Sequence, residues 1–189
     1  HARFARVPRA EWTGLDGLET AGLERVYSYR DGRTDDARLV RAVVASALEL
    51  GAEAALPAGL VAAERCPQGW RVRYERNGRE EQVTARVVVN AAGPWINLVA
   101  QRFRPAPPAR DVALVGGAHV ELPGALGRGI YYTEAADRRA VFIMPWKGRT
   151  LVGTTEREHR GDPADVCASA GEIEYLCATL ARYFPGRST

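Results

Sequence analysis

The sequence predicts a mixed α/β (α+β) chain with a helix and a β-meander in its first half and an antiparallel sheet with a closing helix in its second. Three observations carry that prediction. Apolar residues at Leu39, Val40, Val43, Val44, Ala47, Leu48 and Leu50 recur at helical spacing. From Leu60 to Asn90 the period falls to two. Helical spacing returns between about Ala170 and Tyr183, where Ile173, Leu176, Cys177 and Leu180 share a face.

The elements follow in order. Residues 1–24 read as a loop-rich entry segment with at most one helical turn, anchored by Phe4, Trp12 and Leu15. Arg25–Tyr29 is a short strand. Asp35 or Asp36 caps the first helix, because a short carboxylate accepts from the free amides of the first turn, and Gly51 supplies the left-handed stop. Leu60–Arg65, Trp70–Glu75 and Glu81–Asn90 are strands, the last two joined at Asn77-Gly78, a pair that tolerates positive φ and favours a tight primed turn. Val87, Val88 and Val89 form a continuous apolar run, as in a strand buried on both faces. A helix is expected over Ile96–Phe103, with Pro94 at its first turn where a missing N–H costs nothing. Beyond the joint at Arg104–Pro108 come strands at Val112–Leu122, Gly129–Thr133, Ala140–Pro145 and Thr150–Thr154, then the last helix, stopped at Pro185-Gly186.

Composition narrows the class. The 189 residues are 46% hydrophobic and 26% charged, and a chain of this length buries about 70% of its unfolded surface. The net charge of +3 rests almost wholly on arginine, since Lys147 is the only lysine. Acidic residues are interspersed and no basic run occurs, so no nucleic-acid partner is expected. Cys66, Cys167 and Cys177 have neither disulfide-framework nor zinc spacing, and no metal is assigned. Apolar stretches fall short of the roughly 20 residues that span a bilayer. The chain opens at His1 without an initiator methionine, and it is expected to be an internal piece of something longer, with His1 an added residue.

Chemistry concentrates at three places. Ala91, Ala92 and Gly93 follow the valine run, and such small residues let backbone approach another large group at the carboxyl edge of a sheet, where cofactors lie. The alternative is a helix packed closely on a strand. His119 follows Gly116-Gly117-Ala118 in an apolar strand, where an imidazole can relay a proton near neutral pH or serve only structure. Thr154 and Thr155 follow Gly153 and can bond a ligand or cap a turn. His159 reads as solvated, and Asp31, Asp35 and Asp36 as turn and cap residues. No GxGxxG, Walker, HExxH or GxSxG motif is present.

Taken in order, these segments resemble the flavin-dependent glycerol-3-phosphate dehydrogenases, within the D-amino-acid-oxidase-like flavoproteins. The resemblance is carried by Tyr29–Leu39 with its Asp35-Asp36-Ala37-Arg38-Leu39, by Val88-Val89-Asn90-Ala91-Ala92-Gly93-Pro94-Trp95, by Gly117-Ala118-His119-Val120, by Val141–Trp146 and Leu151–Thr155, and by Gly161-Asp162-Pro163 with the helix ending at Tyr183–Gly186. It implies a partial FAD-binding domain at 25–98 and a substrate, or cap, domain at 99–189. It implies oxidation of sn-glycerol 3-phosphate to dihydroxyacetone phosphate, with FAD as cofactor and quinone as acceptor. Ala91, Ala92, Gly93 and Trp95 would pass near FAD, Leu60 would meet its adenine end, His119 would take the substrate proton, and Arg139 would belong to the substrate pocket or its support.

Two departures stand out. Gly116 stands where the family usually has lysine, and Glu156 where it often has aspartate. The family's N-terminal FAD fingerprint is absent. The chain alone is therefore expected to carry no flavin and no activity. Its place is expected in the cytoplasm or peripherally on the cytoplasmic face of the inner membrane, with self-association through unpaired strand edges, a homodimer included. Another flavoprotein oxidase or dehydrogenase acting on an amino acid or other hydroxy substrate, and a non-catalytic binding or scaffold domain, remain open readings.

Overall fold

The computed structural model describes residues 4–187; His1, and with it the expectation of an added first residue, lies outside them. The chain forms two compact units, His1–Asp31 with Leu114–Thr189, and Gly32–Ala113. These units of packing do not coincide with the divisions expected from the sequence at 24/25 and 98/99.

The first unit opens with β1 (Ala5–Arg6), a 3₁₀ turn over Arg9–Gly14 and β2 (Tyr27–Ser28), which pairs antiparallel with β1. The entry segment is thus more ordered than a loop. Asp16 fixes it: although its φ is +56°, its carboxylate accepts from Gly127 N at 2.7 Å, Arg128 N at 2.9 Å and Tyr131 Oη at 2.7 Å. Asp and Asn tolerate that left-handed conformation better than other side chains.

The second unit begins with α1 (Asp36–Glu49), capped by Asp35 Oδ1 accepting from Arg38 N at 3.1 Å and stopped at Gly51, φ +91°. Both follow the sequence reading. The apolar stripe does not behave as such stripes usually do, because among the described residues nothing buries it: Leu39, Val40, Val43 and Leu48 are all exposed. A meander follows, β3 (Gly59–Cys66), β4 (Gly69–Arg76) and β5 (Arg79–Ala85), with the expected turn at Asn77-Gly78, both at positive φ. After the short α2 (Ile96–Ala100), β6 (Phe103–Arg104) adds parallel to β3. Ala63, Ala100 and Phe103 are buried, and Trp70 meets Phe103 edge-on with ring centroids 5.3 Å apart.

Two expectations fail here. The strand to Asn90 ends at Ala85, and Val87 and Val89 are 74% and 81% exposed rather than buried on both faces. An extended run becomes a strand only where a neighbour completes its ladder, and none of the described strands does so for 87–90. The helix over Ile96–Phe103 is shorter than its pattern, a 3₁₀ turn at Gly93–Trp95 leading into the five residues of α2.

The chain returns to the first unit with β7 (Val115–Gly116), β8 (His119–Leu122), β9 (Tyr131–Glu134), β10 (Ala140–Trp146), β11 (Arg149–Gly153), β12 (Arg157–Glu158) and α3 (Ala170–Tyr183). The expected strand Val112–Leu122 is broken at Gly117-Ala118: β7 pairs with β12, whereas β8 joins the antiparallel sheet β8-β11-β10-β9. Alternate residues Val141 and Ile143 of β10, with Val152 of β11, meet Leu176 and Leu180 of α3 and Phe184 in one core. Tyr131 closes it edge-on against Phe184, centroids 5.0 Å apart.

Candidate functional site

Within the second unit, the bend after the valine run is held by Asn90. Its Nδ2 donates to the Ile96 carbonyl at 2.9 Å, and its Oδ1 accepts from Ala92 N at 3.3 Å, so one side chain pins the bend at both ends. Gly93 sits at φ +54°, the conformation that favours glycine, and a Cβ built there would meet nothing within 4 Å. Ala91, Gly93 and Trp95 are exposed and Ala92 is half-buried. Leu60, half-buried in β3, lies at a bulge before Ala62, and its carbonyl accepts from the Arg102 guanidinium. Arg102 follows α2, and its own carbonyl accepts from Ala63 N at 3.0 Å. Arg102 thereby ties the end of α2 to the Leu60 strand.

Within the first unit, His119 starts β8 and stands directly opposite Gly153, the last residue of β11. The imidazole is exposed and Gly153 beneath it is buried. Arg139 immediately precedes β10 at the same end of the sheet. Its guanidinium is engaged, donating to the Glu156 carbonyl at 3.1 Å and lying 3.4 Å from Asp137 Oδ2. Asp137 in turn accepts from Tyr175 Oη at 2.8 Å, and its pKa is lowered chiefly by that bond. Arg139 therefore braces the turn before β10. His159 donates from Nε2 to the Asp162 carbonyl at 2.8 Å.

A polar chain that sequence reasoning left unassigned lies behind His119. Ala118 N donates to Thr155 Oγ1 at 2.8 Å, Thr155 N donates to the Ala118 carbonyl at 3.3 Å, and Thr155 Oγ1 donates to Glu172 Oε1 at 2.7 Å. Glu172 also accepts from Ser169 N at 3.0 Å and Ser169 Oγ at 2.8 Å, with Arg157 Nε 3.4 Å away. Bonds from the Ser169 amide, the Thr155 hydroxyl and the Ser169 hydroxyl, in that order, lower the Glu172 pKa to about 2. The signal in the sequence was Ser169 three residues before Glu172, a capping box; its further reach to Thr155 depends on tertiary packing. A Cβ on Gly116 would come within 2.8 Å of Val166 Cγ2.

Comparison with known proteins decides the family. The model of the FAD-dependent oxidoreductase (DAO) family matches residues 3–189. The chain belongs to the FAD-dependent oxidoreductase family. Among curated members it is 36% identical to a glycerol-3-phosphate dehydrogenase of Pseudomonas aeruginosa, over 92% of this chain and 34% of that protein. It is also 36% identical to a D-erythritol 1-phosphate dehydrogenase of Brucella abortus, over 84% of this chain and 32% of that protein. The structure of a glycerol-3-phosphate dehydrogenase from Bacillus halodurans, complexed with FAD, superposes with a TM-score of 0.79 at 22% identity, covering all of this chain and 40% of that one. That likeness establishes the fold.

The chain thus spans about a third of the length of these two curated relatives. The resemblance read from the ordered motifs, and the mixed α/β class, are both borne out. Within this family member His119 and Arg139 share one end of one sheet, and Arg102, just after α2, bonds the strand that holds Leu60.

Proposed function

We propose that the chain is part of an FAD-dependent dehydrogenase that oxidises sn-glycerol 3-phosphate to dihydroxyacetone phosphate. The observation that carries this reading is the 36% identity, over 92% of the chain, to a glycerol-3-phosphate dehydrogenase. The residues of the Asn90–Trp95 bend fit a flavin nucleotide: Ala91 and Gly93 leave backbone exposed, and the space beside Gly93 is open. Ala91, Ala92, Gly93 and Trp95 would hold the cofactor there, with Leu60 toward its adenine end. The cofactor supplies the hydride acceptor.

On this reading residues 25–98 serve the cofactor and 99–189 the substrate. His119 takes the proton of the C2 hydroxyl on a ring nitrogen, as general base. Its exposed ring, seated on the bare backbone of Gly153, is open to a ligand on its other face. Arg139 holds the turn at the same sheet end and lends positive charge to an anionic substrate, although Asp137 shares that charge. Quinone as electron acceptor, a homodimer, and a place in the cytoplasm or on the cytoplasmic face of the inner membrane belong to the same reading. Among the described residues no helix is long and apolar enough to cross a membrane.

A second reading, a longer phosphorylated polyol as substrate, is favoured by the equal identity to a D-erythritol 1-phosphate dehydrogenase. Anaerobic mixing of the flavin-loaded protein that carries this chain with each compound separates the two. Glycerol 3-phosphate should bleach the flavin faster than D-erythritol 1-phosphate, and His119→Gln should slow it by about 10²-fold or more. No bleaching by glycerol 3-phosphate overturns the first reading, and faster bleaching by the longer polyol establishes the second.

A further inference from the structure

His119 is exposed, and exposed side chains ordinarily sample several rotamers. Two features of the surrounding backbone restrict this one. The first lies under the ring. Gly153 faces His119 across the β8–β11 pair, and a Cβ on Gly153 would stand 2.7 Å from His119 Cγ and 2.8 Å from Nε2. Cγ is the root of the ring, so rotation about the outer torsion cannot relieve that clash. Only a glycine lets the imidazole lie where it does.

The second lies behind the ring. Ala118, the residue before His119, is bonded at both its amide and its carbonyl to Thr155, whose hydroxyl accepts from Ala118 N and whose amide donates to the Ala118 carbonyl. A hydroxyl that accepts from one group can donate its proton to another, and Thr155 spends that proton on Glu172. Thr155 is 7% exposed, and the Glu172 side chain 12%. Gly117 makes the approach possible, since a Cβ there would lie 2.5 Å from the Thr155 carbonyl and 2.6 Å from Thr154 Oγ1. Glu172 belongs to the first turn of α3, where its capping bonds to Ser169 fix it in turn. The position of the imidazole is thus tied through one hydroxyl to a helix packed on the sheet.

We infer that Gly153 and Thr155, the latter braced by Glu172, are positioning residues for His119: the bare glycine is the seat of the ring, and the threonine hydroxyl locks the residue that precedes it. The inference rests on the reading of His119 as the proton acceptor. It adds that the Gly153-Thr154-Thr155 segment serves that proton transfer without touching the substrate. A positioned base owes much of its effect to alignment, so loosening the seat reduces turnover more than it weakens binding.

The test uses the flavin-loaded protein that carries this chain, mixed anaerobically with glycerol 3-phosphate across the pH range in which histidine titrates. Thr155→Val should slow flavin reduction roughly ten-fold or more, move the histidine limb of the pH profile, and leave the substrate concentration for half-maximal rate within about two-fold. Thr155→Ser keeps the hydroxyl and should stay within about two-fold of the parent in rate. Gly153→Ala should slow reduction and lower the thermal midpoint when His119 is present, and do neither in a His119→Ala background, because removing the ring removes the clash. That thermal cycle reads the seat independently of turnover.

Parental rates and pH profiles in both Thr155→Val and Gly153→Ala, beside a slow His119→Ala, overturn the positioning role alone. Thr155→Ser as slow as Thr155→Val, or an unchanged penalty for Gly153→Ala without the ring, also overturns it. A parental rate in His119→Ala overturns the reading of His119, and the positioning role with it.

Discussion

Ser169 and Glu172 bond one another reciprocally at the start of α3, the Ser169 hydroxyl and amide donating to Glu172 Oε2 at 2.8 and 3.0 Å while Glu172 N donates to Ser169 Oγ at 3.3 Å. The Glu172 carboxylate, lowered to about pKa 2 from an ordinary 4.5 by the Ser169 amide, the Thr155 hydroxyl and the Ser169 hydroxyl, sets a pH dependence. A depressed pKa contributes stability that is complete above the unfolded value and lost as pH falls through the folded one. The stability difference between the parent and Glu172→Gln should therefore be constant above about pH 4.5 and shrink between there and about pH 2. Urea unfolding at a series of pH values reads it. Ser169→Ala, which deletes the cap, should cost about 1 kcal/mol at neutral pH.

Asp16 is the clasp of the entry segment. Burial opposes its charge, but the Tyr131 hydroxyl and the Gly127 and Arg128 amides outweigh that and hold its pKa below the ordinary aspartate value. Asp16→Ala leaves three donors short of an acceptor and should cost about 1–3 kcal/mol. Asp16→Asn, which keeps one acceptor oxygen and tolerates the left-handed backbone, should cost less. Thermal unfolding orders the two, and the reverse order contradicts the role given to the carboxylate. The clasp also shifts its partner: burial first, then the hydrogen bond to Asp16 and its charge, push the Tyr131 phenol upward.

Two apolar substitutions should differ sharply. Ile143 is fully buried between Val141, Val152 and the α3 face, so Ile143→Ala should cost about 2–5 kcal/mol. Val43, centred in the apolar stripe of α1, is 61% exposed, and Val43→Ser should stay within about 0.5 kcal/mol. Val43→Pro, by contrast, removes an amide donor within the helix and should break α1, read as lost helical ellipticity. A large cost for Val43→Ser would mean that the stripe is covered in solution.

Gly69 opens β4 at φ +128°, and a Cβ there would lie 2.8 Å from Arg86 Cα. Gly69→Ala meets both a forbidden backbone region and a clash with the chain leaving β5. It should destabilise the meander by more than about 1 kcal/mol, visible as faster amide exchange along β4 and β5. Gly78→Ala meets only the conformational strain, since nothing lies within 4 Å of its Cβ, and should be milder.

What was legible in the sequence was local. Asp35 and Gly51 bound α1, Asn77-Gly78 made its turn, and the spacing of Ile173, Leu176 and Leu180 set α3, because caps, turns and helical periods are written within a few residues. The motif order also placed the family. What escaped reading was relational. No local rule says that Gly153 will lie opposite His119, since strand register is set across the sheet, or that Asp16 will meet Tyr131. Val87–Val89 misled for the same reason, as an apolar run carries no information about whether a neighbouring strand exists.

The clasp of Asp16 has a consequence for the order in which the chain is made. It closes on a tyrosine 115 residues further along, and the whole of the unit Gly32–Ala113 is synthesised in between. At roughly 5–20 residues per second, the entry segment leaves the ribosome on the order of 5–20 s before its partners exist. During that interval the meander, whose pairings are between neighbours in sequence, can form without it. The clasp therefore closes only after the intervening unit has been made, and the segment around Asp16 waits for Tyr131 while the meander pairs with its own neighbours.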